Sequence, residues 1–141
     1  MSISNVVNLF LQNGIECSII NPIEEKAVSK MCITKPYIFR IGTDYITIVV
    51  EDKTKISYEK YMKKFTTMPR RLSRAEIQSE LGFSRENINL AELKKVTEIY
   101  FDCSLKEKSL FYTSAGLKNL LISVTPQDVI ALTDGEWIDI V

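Results

Sequence analysis

Residues 34 to 50 read TKPYIFRIGTDYITIVV. Two runs of β-branched, aromatic and aliphatic side chains, Tyr37–Ile41 and Tyr45–Val50, flank the short turn Gly42-Thr43-Asp44. Such runs favour extended backbone, and glycine and aspartate form turns, so the stretch predicts a β-hairpin. Apolar residues fall on both faces of both strands, which predicts that each strand is covered on both sides and lies centrally in a sheet. Lys35 stands at the mouth of the first strand. A lysine there is ordinarily a solvated strand end; beside backbone amides it can instead hold a phosphate or stabilise an oxyanion.

Working outward, Ile3, Val6, Val7, Phe10 and Leu11 recur at helical spacing behind Ser2 and ahead of Gly14. Glu16–Ile20 predicts a strand, and Glu24–Met31 a brief helix. After the hairpin, Ser57 caps a helix whose Tyr58, Tyr61, Met62 and Phe65 share a core-facing side, with lysines opposite. Met68–Leu72 predicts a short strand, and Ser73-Arg74-Ala75-Glu76 is a capping box opening a helix that stops at Gly82. Phe83–Val96 has weak periodicity. Glu98–Asp102 and Leu110–Ser114 predict strands joined by the polar turn Ser104–Lys108. Leu120–Val124 predicts another, followed by a helix from Thr125-Pro126 to Thr133 and a closing strand Trp137–Val141. Strands and helices mixed in this order predict an α+β fold: a single domain with a curled, barrel-like mixed sheet flanked by helices.

The 141 residues are of single-domain size, and 45% hydrophobic with 26% charged residues is an ordinary globular composition. Formal net charge is zero, but the charge is uneven. Eight lysines and arginines stand between Lys53 and Arg74 against Glu59 alone, while four acids and no base stand between Thr125 and Val141. A basic segment of that kind is either a solvated face or a surface for phosphates. The absence of histidine excludes serine–histidine and cysteine–histidine nucleophiles and histidine metal ligands. Cys17, Cys32 and Cys103 show no C-x-x-C spacing and read as reduced thiols of a cytoplasmic protein. No stretch approaches the length of a membrane span, so a soluble protein without membrane association is expected.

The order of pieces resembles the YbaK family of aminoacyl-tRNA editing domains, which also occur inserted in bacterial prolyl-tRNA synthetases. The resemblance runs through Asn13-Gly14-Ile15-Glu16, Lys35 before Tyr37-Ile38-Phe39, the helix Ser57–Phe65, and Arg71-Leu72-Ser73 leading into Glu76–Leu81. It is clearest in Glu98–Leu105, in Phe111-Tyr112-Thr113-Ser114-Ala115-Gly116, and in Val124-Thr125-Pro126-Gln127-Asp128-Val129. It implies hydrolysis of the ester between a wrongly attached amino acid and the terminal adenosine of a tRNA, without metal or organic cofactor. The attacking group would be water or, in cysteine-specific members, the substrate's thiol. By position, Lys35 would be the catalytic, electrostatic lysine. Tyr37, Phe39, Gly82, Ser114 and Gly116 would line the substrate pocket, and Lys60, Lys63 and Lys64 would meet tRNA phosphates. Partners would be the aminoacylated 3′ end of tRNA and, in some settings, an aminoacyl-tRNA synthetase.

The chain departs from the family pattern in several places. Pro36 stands where a threonine is usual and brings no backbone donor. The loop of repeated glycines and prolines after the third helix is reduced to Gly82. Leu120-Leu121 stands where some members carry an acid, and the connection from Pro22 to Lys35 is short. These departures leave a second reading open: a relative that binds tRNA or a synthetase and no longer hydrolyses.

Overall fold

A computed structural model describes residues 2–15, 18–21, 31–116 and 120–141, with side chains from Val7 onward. The hairpin forms as its sequence predicts. Strands β2 (Thr34–Ile41) and β3 (Asp44–Glu51) pair antiparallel in register from Thr34↔Glu51 to Ile41↔Asp44, and Gly42 takes the left-handed backbone that the turn needs, with φ 60°. In chain order the other elements are α1 (Ser2–Gln12), β1 (Ile19–Ile20), α2 (Tyr58–Phe65), α3 (Arg74–Leu81), α4 (Leu90–Leu93), β4 (Glu98–Asp102), β5 (Phe111–Ser114), β6 (Leu121–Val124), α5 (Pro126–Thr133) and β7 (Glu136–Ile138). The expected strand from Glu16 is described only at its end, and the expected helix at Glu24–Met31 lies, apart from Met31, outside the described residues.

Two sheets result. One has the order β2-β3-β4-β7, with β3–β4 and β4–β7 parallel; the other has the order β1-β6-β5 and is antiparallel. They meet at one parallel bridge, Ile33↔Tyr112, supported by Tyr112 N–H donating to Cys32 O at 2.9 Å and Thr34 Oγ1 donating to Tyr112 O at 2.8 Å. The α+β class therefore holds, but the barrel expected from the curl does not close. Only β3 has the central place predicted for both hairpin strands: Ile46–Val50 are buried on both faces, while β2 ends its sheet.

Period two divides β2 between two cores. Ile38 faces the larger one, with Val49, Phe101, Phe111, Ile122 and helices α1, α4 and α5; Phe39 faces a smaller outer one, with Ile46, Ile48, Val50, Tyr61, Ile138 and Ile140. Helix α2 roofs this outer face. Ser57 caps it, accepting from Lys60 N–H. It is clamped to the end of the chain by Ser57 N–H to Ile140 O (2.7 Å), Lys60 Nζ to Asp139 (2.8 Å) and Lys64 Nζ to Glu136 (2.7 Å). The helix turns its Tyr61–Phe65 edge to the sheet and leaves Tyr58 and Met62 exposed, narrower burial than the sequence stripe predicts.

Three further expectations change. Met68–Leu72 does not form a full strand: it meets the outer edge of β2 at one antiparallel bridge, Phe39↔Arg71, through Arg40 N–H to Arg70 O and Leu72 N–H to Ile38 O, and so forms a tether on that edge. The polar turn after β4 is a short 3-10 helix, Cys103–Glu107, capped by Asp102. The closing strand is Glu136–Ile138. Trp137 packs on Phe101, with ring centroids 5.6 Å apart.

Candidate functional site

Lys35 is the second residue of β2, with its side chain half exposed and its ammonium 3.1 Å from Asp52 Oδ1. Its cross-strand partner is Val50, so it lies on the outer face with Tyr37 and Phe39, successive residues of one period-two row. Beside that row a cavity of about 500 Å³ opens between β2, the start of α2 and the tether. Tyr37, Phe39, Thr54, Lys55, Ile56, Tyr58 and Arg71 line it. The guanidinium of Arg71 stands over the Tyr37 ring, 5.1 Å from its centroid, and Phe39 is a buried floor stacked against Tyr61 at 4.9 Å. Neither Lys55 nor Arg71 has a carboxylate partner among the described residues.

Backbone groups of Cys32, Ile38 and Arg40 bond outward, away from β3: Cys32 to β5, and Ile38 and Arg40 to the tether. Pro36 shares their parity and falls in the gap between these two attachments. Its missing N–H therefore weakens no ladder bond with β3; it removes a donor from the edge between these attachments. Among the described residues the pairing of this edge with β5 ends at the Ile33↔Tyr112 bridge, and Ser114 lines a small space in the larger core with Leu9, Phe10, Leu90 and Val129, so the structure does not bring it to the cavity beside Tyr37. The turn after Ser114 is internally bonded. Gly116 N–H donates to Ser114 Oγ at 3.1 Å, Ala115 N–H to Leu120 O at 3.0 Å, and Gly116 takes φ 88°.

Other site residues named from the sequence are dispersed. Gly82 ends α3 at φ 79°, exposed, on a helix whose Ile77 and Leu81 pack on the larger core, across β2 from Lys35. The Ser84–Asn87 loop after it is closed by mutual side-chain bonds. Lys60 and Lys64 are engaged with Asp139 and Glu136, while Lys63 is exposed and has no ion pair among the described residues. The hydrogen bond from Lys60 to Asp139 raises the Lys60 pKa, against the opposing effect of burial. Sequence reasoning passed over Asp52, Lys55, Tyr58 and Arg71 as site residues. Only Arg71 and Lys55 carried a signal, as members of the basic run; their approach to the β2 face is tertiary.

A second polar cluster has a structural explanation. Asp102, Cys103 and Asp139 bring potential ligand atoms within 4.8 Å of one another. Asp102 accepts from the Ser104 N–H and hydroxyl and from Ile140 N–H, and the Lys60 ammonium neutralises Asp139. Burial and the adjacent Glu51 raise the Cys32 pKa, which keeps it a poor nucleophile near neutral pH.

No family model and no curated protein matches this chain. Solved structures do. One, from work on grafting linear epitopes onto scaffold proteins by computational design, matches with a TM-score of 0.81 at 17% identity, over 99% of this chain and 95% of its own. A crystal structure of a proposed trans-editing enzyme for prolyl-tRNA synthetase matches at 0.77 and 16% identity, over 99% and 96%. A hypothetical protein matches at 0.81 and 14%, over 96% and 98%. The chain thus has an editing-domain-like fold. Among the described residues, no helix is long and apolar enough to cross a membrane.

Proposed function

We propose that this chain is an aminoacyl-tRNA deacylase. It would hydrolyse the ester of a mischarged tRNA, with mischarged prolyl-tRNA the first substrate to try. The observation that supports this reading is Lys35 on the same face of β2 as Tyr37, which lines the Arg71-flanked cavity. The cavity volume falls within the roughly 300–1,000 Å³ of small-molecule sites, and the exposed Tyr58 ring and half-buried Tyr37 ring, beside cations with no ion pair among the described residues, suit a nucleoside and its phosphate. The fold shared with a proposed trans-editing enzyme supports the same class.

In this reading the terminal adenosine enters the cavity against Tyr37 and Tyr58, with Arg71 and Lys55 toward the phosphate. Lys35 faces the ester. Water adds to the carbonyl carbon, and the ammonium stabilises the resulting oxyanion. Collapse breaks the bond to the ribose oxygen, which takes one of the water's protons; the other goes to solvent. The products are a free amino acid and a tRNA with a free terminal hydroxyl.

Two observations favour a second reading, binding without hydrolysis. The Ala115 and Gly116 amides are already bonded within their turn, and Pro36 offers no N–H to the gap. Without them Lys35 is, among the described residues, the one electrostatic stabiliser this reading assigns to the ester. A panel of mischarged tRNAs, starting with prolyl-tRNA carrying alanine or cysteine, distinguishes the readings. Turnover abolished by Lys35→Ala supports the deacylase; low-salt binding without turnover supports the binding relative. A chain that binds neither charged nor uncharged tRNA at low salt has neither function.

A further inference from the structure

A lysine meant for an anion gains nothing from a carboxylate beside it, yet Asp52 Oδ1 lies 3.1 Å from Lys35 Nζ. The backbone fixes it there. Asp52 N–H donates to Ile33 O at 2.7 Å, and Thr54 closes the turn through its N–H (3.1 Å) and Oγ1 (2.6 Å) to Glu51 O. Lys53 adopts a left-handed φ of 72° inside that turn. A solvent-facing pair of this kind is worth at most about 1 kcal/mol, so stability gives little reason for it. A fixed negative charge here also repels a phosphate or a developing oxyanion.

An aminoacyl ester offers what would offset that repulsion. Its α-amino group carries a positive charge below a pKa near 8, two bonds from the ester carbonyl carbon. The Lys35–Asp52 pair then presents one charge of each sign to a ligand whose oxygen and ammonium lie close together. We propose that Asp52 accepts a hydrogen bond from the α-ammonium of the aminoacyl group, making the site selective for free-amine esters over N-blocked ones. This rests on the deacylase or tRNA-end-binding reading above and names what that same site recognises.

The probes are 3′-alanylamino-3′-deoxyadenosine, whose amide resists hydrolysis, and its N-acetyl derivative, both titrated calorimetrically. Wild-type protein should bind the free-amine form at least about tenfold more tightly, the strength of one charged hydrogen bond. Asp52→Asn should erase the preference, Asp52→Glu should keep part of it, and Lys35→Met should weaken both forms alike. Equal wild-type affinity for the two forms, or a preference that survives Asp52→Asn, overturns the assignment and leaves the Lys35 reading standing. An equal gain for both forms on Asp52→Asn also overturns it, because Asp52 then only restrains the lysine. Binding of neither form removes this inference and the reading beneath it together.

Discussion

Replacing Lys35 by methionine separates a functional lysine from a structural one. Methionine keeps an apolar stem on the outer face of β2 and deletes the charge. At 3.1 Å the Coulomb energy with Asp52 is about 1 kcal/mol in a water-like dielectric. The Lys35 side chain is 52% exposed and that of Asp52 31%, so solvent, salt and side-chain entropy reduce the net value to between about 0 and 1 kcal/mol. For a domain of this size that is a melting shift of no more than about 4 °C. The expected loss in deacylation is far larger, about 10²–10³-fold, the effect of removing one oxyanion-stabilising group. Thermal unfolding and single-turnover deacylation on the same preparation measure both quantities. A melting temperature lowered by more than about 8 °C would make Lys35 a structural residue, and an unchanged rate would refute its catalytic assignment.

The remaining predictions concern the scaffold. Tyr61 is fully buried and its hydroxyl has no hydrogen-bond partner among the described residues, so Tyr61→Phe should raise stability by about 1 kcal/mol in calorimetry; a fall would mean the hydroxyl is satisfied. Gly135→Ala would place a Cβ 2.6 Å from Phe101 Cε1 and 2.9 Å from Thr133 Oγ1, and should destabilise by about 1–3 kcal/mol; an unchanged urea midpoint would refute the contact. The Ser73 N–H donating to Glu76 holds that carboxyl below its usual pKa. The folded chain thus binds fewer protons there than the unfolded chain, and the stabilisation is present at neutral pH. It should disappear as pH falls from the ordinary carboxylate range through the lowered folded value. The difference in urea midpoint between wild type and Glu76→Gln should therefore be larger at pH 7 than at pH 3, and equal differences would count against the charged cap.

Much of the molecule was legible in local chemistry. The hairpin followed from two apolar runs around Gly42-Thr43-Asp44, and α2, α3 and α5 from the caps Ser57, Ser73 and Thr125. Such signals lie within a few residues of what they specify. The Met68–Leu72 expectation held only at Arg71, which bridges Phe39, because how far a segment pairs depends on how long it stays alongside β2. The two-sided apolar pattern was right for β3 and overstated for β2, whose free edge depends on how far β5 stays alongside it.

Lys35 on an extended strand, the exclusion of histidine chemistry and the helix starts at their capping residues all follow from residue type and short spacing. Which charges are paired follows instead from the folded arrangement. It tied Lys60 and Lys64 to carboxylates more than 70 residues along the chain, brought Arg71 over Tyr37, and set Asp52 against Lys35. Electrostatic partnership depends on distance in space, and sequence separation carries almost none of that information.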